Sequence, residues 1–77
     1  MRTIENTTLD YWFERDRAYV GLLDKETDEV IVEWWDEAVA EAIDDGYLSD
    51  DAFVLGRCLY PERLHASAVE YANEMGL

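Results

Sequence analysis

The sequence predicts an α+β fold, in which a three-stranded antiparallel β-meander is followed by two or three α-helices packed on one face. In the first half of the chain, apolar residues alternate with a period of two, as they do in half-buried strands. In the second half the spacing becomes helical, and glycine and proline stand at helix-boundary positions. The length of 77 residues limits the chain to a single domain.

Strands are predicted at about residues 8–14, 18–23 and 29–34. In the first strand, Leu9, Tyr11 and Phe13 lie on one side, whereas Asp10 and Trp12 lie on the other. The second strand is apolar on both sides, which predicts that it lies at the centre of the sheet. The polar connection between the second and third strands has the length of a hairpin loop, which favours an antiparallel meander.

Helices are predicted at about residues 36–45, 50–59 and 61–75. Asp36 and Ser49 are candidate N-caps for the first two, because Asp and Ser side chains accept hydrogen bonds from free N–H groups. Gly46 stands where a glycine commonly ends a helix, and Pro61 suits a first helical residue. Gly56 argues against the second helix, since glycine inside a helix costs about 1 kcal/mol.

Negative charge is concentrated in the middle of the chain. The whole sequence carries 19 acidic and 6 basic residues, a net charge of −13. Residues 24–51 hold twelve of the acids and a single base, Lys25, so this segment carries −11 and the other 49 residues carry −2. Such a segment excludes direct binding of nucleic acid, because phosphates are recognised by Lys and Arg.

The arrangement of these acids predicts a surface that imitates nucleic acid. Carboxylates at i and i+2 on a strand, or at i and i+4 on a helix, form rows of negative charge at a spacing similar to that of phosphates. A protein that holds DNA or RNA through Lys and Arg would accept such rows. The predicted contact residues are Asp28, Glu29, Glu33, Trp35, Asp36, Glu37, Glu41, Asp44 and Asp45.

In size, charge and scarcity of lysine, the chain resembles small acidic inhibitors of restriction, CRISPR and repair enzymes, of the kind that phages and mobile elements encode. The resemblance is one of composition, since no sequence motif is shared. It implies an inhibitor that occupies the basic nucleic-acid-binding surface of a partner protein or complex. It also implies a cytoplasmic location, in the host cell if a phage encodes the protein.

Two other interpretations of the charge stay open. The first is adaptation to high salt, but its acids would be spread over the whole surface, whereas residues 52–77 hold three acids against two bases. The second is an acidic subunit that pairs with a basic partner, as antitoxins and accessory subunits do. The many aromatic residues are also consistent with a homodimer formed away from the acidic segment.

The sequence predicts no metal or cofactor site. The stretch 24–35 resembles a calcium loop at its first, third and fifth positions, but Glu29 replaces the required glycine and Trp35 replaces the bidentate glutamate. Ser49 lacks the Asp-Ser-Leu motif that carries phosphopantetheine in acyl carrier proteins. Helix capping is the simpler interpretation of that serine.

A binding protein is predicted rather than an enzyme. Cys58 and His65 are candidates for a nucleophilic dyad, but Pro61 stands between them in the sequence. A single cysteine forms no intramolecular disulfide. The sequence contains no secretory signal and no apolar run long enough to span a bilayer, so a cytoplasmic protein without membrane contact is expected.

Overall fold

The computed structural model describes all 77 residues. Its fold is α+β, with a three-stranded antiparallel sheet followed by helices, which confirms the predicted class with two α-helices. In chain order the elements are β1 (Thr7–Phe13), β2 (Ala18–Asp24), β3 (Val30–Trp35), α1 (Glu37–Asp44), a 3₁₀ turn (Asp50–Ala52), β4 (Phe53–Val54), β5 (Arg57–Cys58) and α2 (Pro61–Glu74).

The strand that is apolar on both sides, β2, lies between β1 and β3 and pairs antiparallel with each. The prediction that it is the central strand is therefore confirmed. A bulge interrupts its pairing with β3, because Leu22 lies opposite Val32 whereas Leu23 lies opposite Val30. Ile31 is the additional residue that this bulge accommodates.

Both helices pack on the same face of the sheet. From that face, Val20, Leu22 and Trp34 enter a single buried cluster, in which Val20 and Leu22 have no exposed surface. Full burial of a side chain of this size is worth about 1.5–3 kcal/mol. The helices and the connection between them contribute the remaining members, which are Val39, Ala42, Leu48, Ala52, Leu64, Ala68, Val69 and Ala72.

The two predicted N-caps do not act as caps. Asp36 precedes α1, but its carboxylate accepts a hydrogen bond from the Ala18 N–H at 3.1 Å and none from the helix. Ser49 makes no capping bond either, and its own N–H donates to the Ser67 hydroxyl at 3.0 Å. The predicted end of α1 is confirmed, since Gly46 follows it with a φ of 82°.

The predicted helix at 50–59 is wrong. One 3₁₀ turn is followed by a two-stranded hairpin, β4 with β5, whose connecting residues are Leu55 and Gly56. Their φ angles are 51° and 75°, and positive values at both central positions are the requirement of a type I′ turn. Gly56 adopts such an angle without steric cost. The same glycine that is unfavourable inside a helix therefore favours a hairpin at this position.

Hydrogen bonds from Arg2 join the two ends of the chain. Its N–H donates to the Asn73 side-chain oxygen at 2.8 Å, and the Asn73 amide donates back to the Arg2 carbonyl at 2.9 Å. The Arg2 guanidinium donates to the carbonyl of Leu77 and to the carboxylate of Asp24, at 2.9 and 2.8 Å. The first residues are thereby attached both to the end of α2 and to the end of β2.

Candidate partner-binding surface

The face of the sheet opposite the helices carries three aromatic residues at aligned positions on the three strands, and their rings contact one another, since the Trp12 and Trp35 centroids are also 6.0 Å apart. Trp12 on β1 lies directly opposite Tyr19 on β2, and Tyr19 lies directly opposite Trp35 on β3. The ring centroids are 6.1 Å apart in the first pair and 4.4 Å apart in the second. We call these three residues the aromatic row. Tyr19 at its centre is only 7% exposed, whereas Trp35 at its edge is 45% exposed.

A second line of residues runs beside the aromatic row, with Asp10 and Glu33 on either side of Gly21. The glycine leaves space that Tyr19 fills, since a Cβ added there would overlap the tyrosine hydroxyl. That hydroxyl donates to Oε2 of Glu33 at 3.0 Å. Gly21 therefore lets an aromatic ring lie flat on its own strand, and the ring in turn orients a carboxylate.

The hydroxyl of Tyr19 is held in its protonated form. Burial, the hydrogen bond to Glu33 and the negative charges of Glu33 and Asp10 together raise its pKa to about 12. Burial contributes most, because it disfavours the charged phenolate. Glu33 consequently keeps its hydrogen-bond donor far above neutral pH, and its carboxylate keeps a defined orientation beside the rings.

The aromatic row ends at the junction between β3 and α1, where Asp36 has a φ of 51° and a ψ of −115°. Its carboxylate lies 3.6 Å from the Arg17 guanidinium, which also lies 5.9 Å from the Trp12 ring centroid. An open cleft of about 690 Å³ adjoins this junction and is lined by residues 14–18 and 35–37. Arg17 thus lies close to both a carboxylate and a tryptophan ring at this junction.

The first helix presents a stripe of carboxylates to solvent. Its acids follow the spacing i, i+4, i+7, i+8, so they lie on one side of the helix while Val39 and Ala42 face the core. All of them are exposed, and none is within salt-bridge distance of a base. They are Glu37, Glu41, Asp44 and Asp45.

The predicted contact residues fall into two groups. The structure brings Glu33, Trp35 and Asp36 together with the start of α1. Asp28 and Glu29 are exposed in the β2–β3 loop, at the opposite end of β3. A six-residue strand spans about 20 Å, so these two acids lie apart from the others.

The sequence prediction missed two members of the same surface, Tyr19 and Asp10. The alternation in β1 already placed Asp10 beside Trp12 on one side, which was the available signal. Tyr19 could not be found in the same way, because its neighbours on the other two strands depend on the pairing register.

Cys58 and His65 do not form a dyad. The Thr7 hydroxyl donates to the Thr3 carbonyl at 2.6 Å, so its 2.8 Å contact with His65 Nε2 makes the histidine the donor. Burial lowers the pKa of His65, and burial raises the pKa of the Cys58 thiol, which lies in the separate small hairpin. No hydrogen bond connects the two side chains.

Two further findings concern the chain as a whole. No three side chains of the His, Cys, Asp and Glu types lie close enough together to hold a metal ion. Neither helix has the length and apolar character that crossing a membrane requires.

Comparison with known proteins yields no relative: no family model, no curated protein and no solved structure matches this chain.

Proposed function

We propose that this protein is an acidic inhibitor that occupies the basic nucleic-acid-binding surface of a partner protein. One observation carries the proposal. Of the eight acidic residues predicted as contacts, only Asp36 lies within salt-bridge distance of a base, Arg17 at 3.6 Å. The others are exposed and unneutralised, which costs the folded protein self-repulsion and leaves their charge free for a partner.

The mechanism is competition for a basic channel. Residues at i and i+4 on one side of a helix have Cβ atoms about 5–6 Å apart, and the carboxylates of α1 would meet Lys and Arg side chains that otherwise bind phosphates. Arginine pairs with carboxylate through charge-assisted hydrogen bonds, which are the strong ones. We expect binding to weaken as salt is added, because exposed charges are screened.

The position of Trp35 favours mimicry over salt adaptation. An exposed carboxylate suffices for solubility in salt, but a tryptophan that is 45% exposed beside Glu33 and Asp36 contributes nothing to it. Tryptophan is enriched among the residues that dominate binding energy at protein interfaces. A binding role without catalysis, in the cytoplasm, is part of this proposal.

The test is capture followed by competition. The immobilised protein is exposed to an extract of the cells in which it occurs, and each retained protein is purified and assayed for binding to duplex DNA and to RNA. We expect a retained protein whose nucleic-acid complex is displaced by a stoichiometric amount of the inhibitor. Simultaneous binding of the inhibitor and the nucleic acid would contradict the proposal.

A charge-matched pair of variants makes the test specific to this surface. The first carries Glu33→Gln, Asp36→Asn, Glu37→Gln and Glu41→Gln, and we expect its affinity to fall at least about tenfold. Asp36→Asn retains an oxygen that can accept from the Ala18 N–H. The control neutralises four exposed acids outside the segment, Glu5, Glu62, Glu70 and Glu74. Equal binding by both variants would end the proposal.

A further inference from the structure

We infer that the aromatic row, together with Glu33, is a binding site for an arginine side chain of the partner. This inference rests on the proposed function, since it names the type of partner side chain that the acidic surface binds. In this site, the Trp35 ring is the surface on which the guanidinium stacks. The Glu33 carboxylate accepts hydrogen bonds from the guanidinium, and the Tyr19 hydroxyl positions that carboxylate.

The indole of Trp35 is fixed from one side and open on the other. Tyr19 packs against it with centroids 4.4 Å apart and planes inclined by 55°, and Trp12 meets it edge to face at 6.0 Å. Trp35 is nevertheless 45% exposed. A ring that is held in place and half open offers a cation a surface at little cost in side-chain entropy.

The carboxylate of Glu33 lies on the same face of β3 as Trp35, two residues earlier and thus about 7 Å along the strand. Its Oε2 accepts from the Tyr19 hydroxyl at 3.0 Å, and its Oε1 has no hydrogen-bond donor. Gly21, beside Glu33 on β2, carries no side chain of its own, and the Tyr19 ring that donates to Oε2 fills the space above it. One carboxylate oxygen is therefore oriented and free next to an open indole.

The charge around the row specifies a cation as the occupant. Asp10, Glu33 and Asp36 border the three rings, and the bases nearby are Arg17, which already pairs with Asp36, and Arg15 in the adjoining cleft. An anionic or a purely apolar partner segment would leave these carboxylates facing repulsion or desolvation. A positively charged side chain can interact favourably with both the faces of the rings and the carboxylates.

Arginine fits this site better than lysine. The fold already contains one example of the contact, since Arg17 places its guanidinium 5.9 Å from the Trp12 ring and 3.6 Å from the Asp36 carboxylate. A guanidinium is planar, weakly hydrated and able to stack on a ring while pairing with a carboxylate at its edge. The compact ammonium of lysine keeps its hydration and does not stack.

The experiment compares hexa-arginine and hexa-lysine amides, which carry equal charge, by titration against the full chain with calorimetric detection. We expect the arginine peptide to bind at least about fivefold more tightly, in keeping with a cation–π contribution at a partly exposed site. Trp35→Leu should remove this preference and leave the affinity for hexa-lysine within about twofold. Glu33→Gln should weaken hexa-arginine more than Glu29→Gln, which makes the same charge change at the far end of β3.

Circular dichroism of each variant establishes that it is folded, and Trp35→Phe is a second, milder variant that should retain part of the preference. Equal affinities for the two peptides, no binding of either, or an undiminished preference in Trp35→Leu would each overturn the inference. Its failure is separable from that of the proposed function. Loss of the arginine preference leaves competition with nucleic acid intact, whereas a partner that binds nucleic acid and inhibitor together refutes only the proposed function.

Discussion

The two faces of β2 are both apolar, but they are covered in different ways. Val20 and Leu22 lie beneath two helices that follow later in the chain. On the other face, Tyr19 is buried by the Trp12 and Trp35 rings of the neighbouring strands, and its own ring covers Gly21, with no helix above them. The side chains of a face that is covered by helices are buried in the folded protein. Where the side chains of a face cover only one another, part of their surface remains exposed and can contact other molecules.

The largest expected effect is a difference between the two faces in the free energy of unfolding that a substitution removes. Leu22→Ala removes a fully buried side chain under the helices and should cost about 2–5 kcal/mol. Trp35→Ala removes a larger side chain from the open face but should cost only about 1–2 kcal/mol, mainly the contacts with the other rings. Urea unfolding followed by circular dichroism measures both values. If Trp35→Ala were the more costly of the two, Trp35 would have to be treated as a core residue.

A change of intermediate size concerns the glycine on the open face. Gly21→Ala places a methyl group where the Tyr19 ring lies, so we expect a loss of about 1–3 kcal/mol. In a Tyr19→Ala background the same substitution should instead stabilise the protein by up to about 1 kcal/mol, because alanine is favoured over glycine within a strand. The double-mutant cycle is measured by urea unfolding. Equal effects in both backgrounds would mean that the ring does not depend on the glycine.

The smallest expected effect is a shift in titration. The pKa of Tyr19 is raised to about 12, so the folded protein holds this proton more tightly than the unfolded chain, whose tyrosines ionise near pH 10. The resulting stabilisation is complete below about pH 10 and is lost as the pH rises towards 12. Glu33→Gln should lower the pKa of Tyr19 but leave it above 10, because burial is the largest cause.

Carbon-13 NMR of the tyrosine ring follows this ionisation directly. Glu29→Gln, which removes a charge that does not act on Tyr19, is the control and should leave the titration unchanged. A Tyr19 that titrated identically in the wild type and in Glu33→Gln would show that the carboxylate is not oriented by this hydroxyl.

The sheet was predictable because its signal is local. Alternation in β1 placed Leu9, Tyr11 and Phe13 on one side, and all three pack against the core. The apolar composition of β2 on both sides placed it at the centre. Neither signal reveals which residue faces which across the strands, so the meeting of Trp12, Tyr19 and Trp35 required the structure.

The helix predicted at 50–59 shows a different limit. Leu55 is a strong helix former and an unusual residue for a turn, yet it takes a φ of 51° in the hairpin. Its neighbour Gly56 was the one local indication that the segment turns. Asp36 shows the same limit. Aspartate commonly caps helices, but here its carboxylate accepts a hydrogen bond from the N–H of Ala18 on β2. A contact distant in sequence decides the role of Asp36, whereas Leu55 is 97% exposed and its turn is closed by the local pairing of β4 with β5.

The bonds that Arg2 makes to Asn73 and Leu77 make the chain nearly a closed ring. A short linker from Leu77 to Met1 would complete the ring, and new ends could then be opened at the exposed Leu55–Gly56 turn. In such a circular permutant the three strands and α1 would remain one uninterrupted stretch, and we expect it to fold. The domain that carries the acidic surface could then be fused to another protein through the new chain ends in the small hairpin.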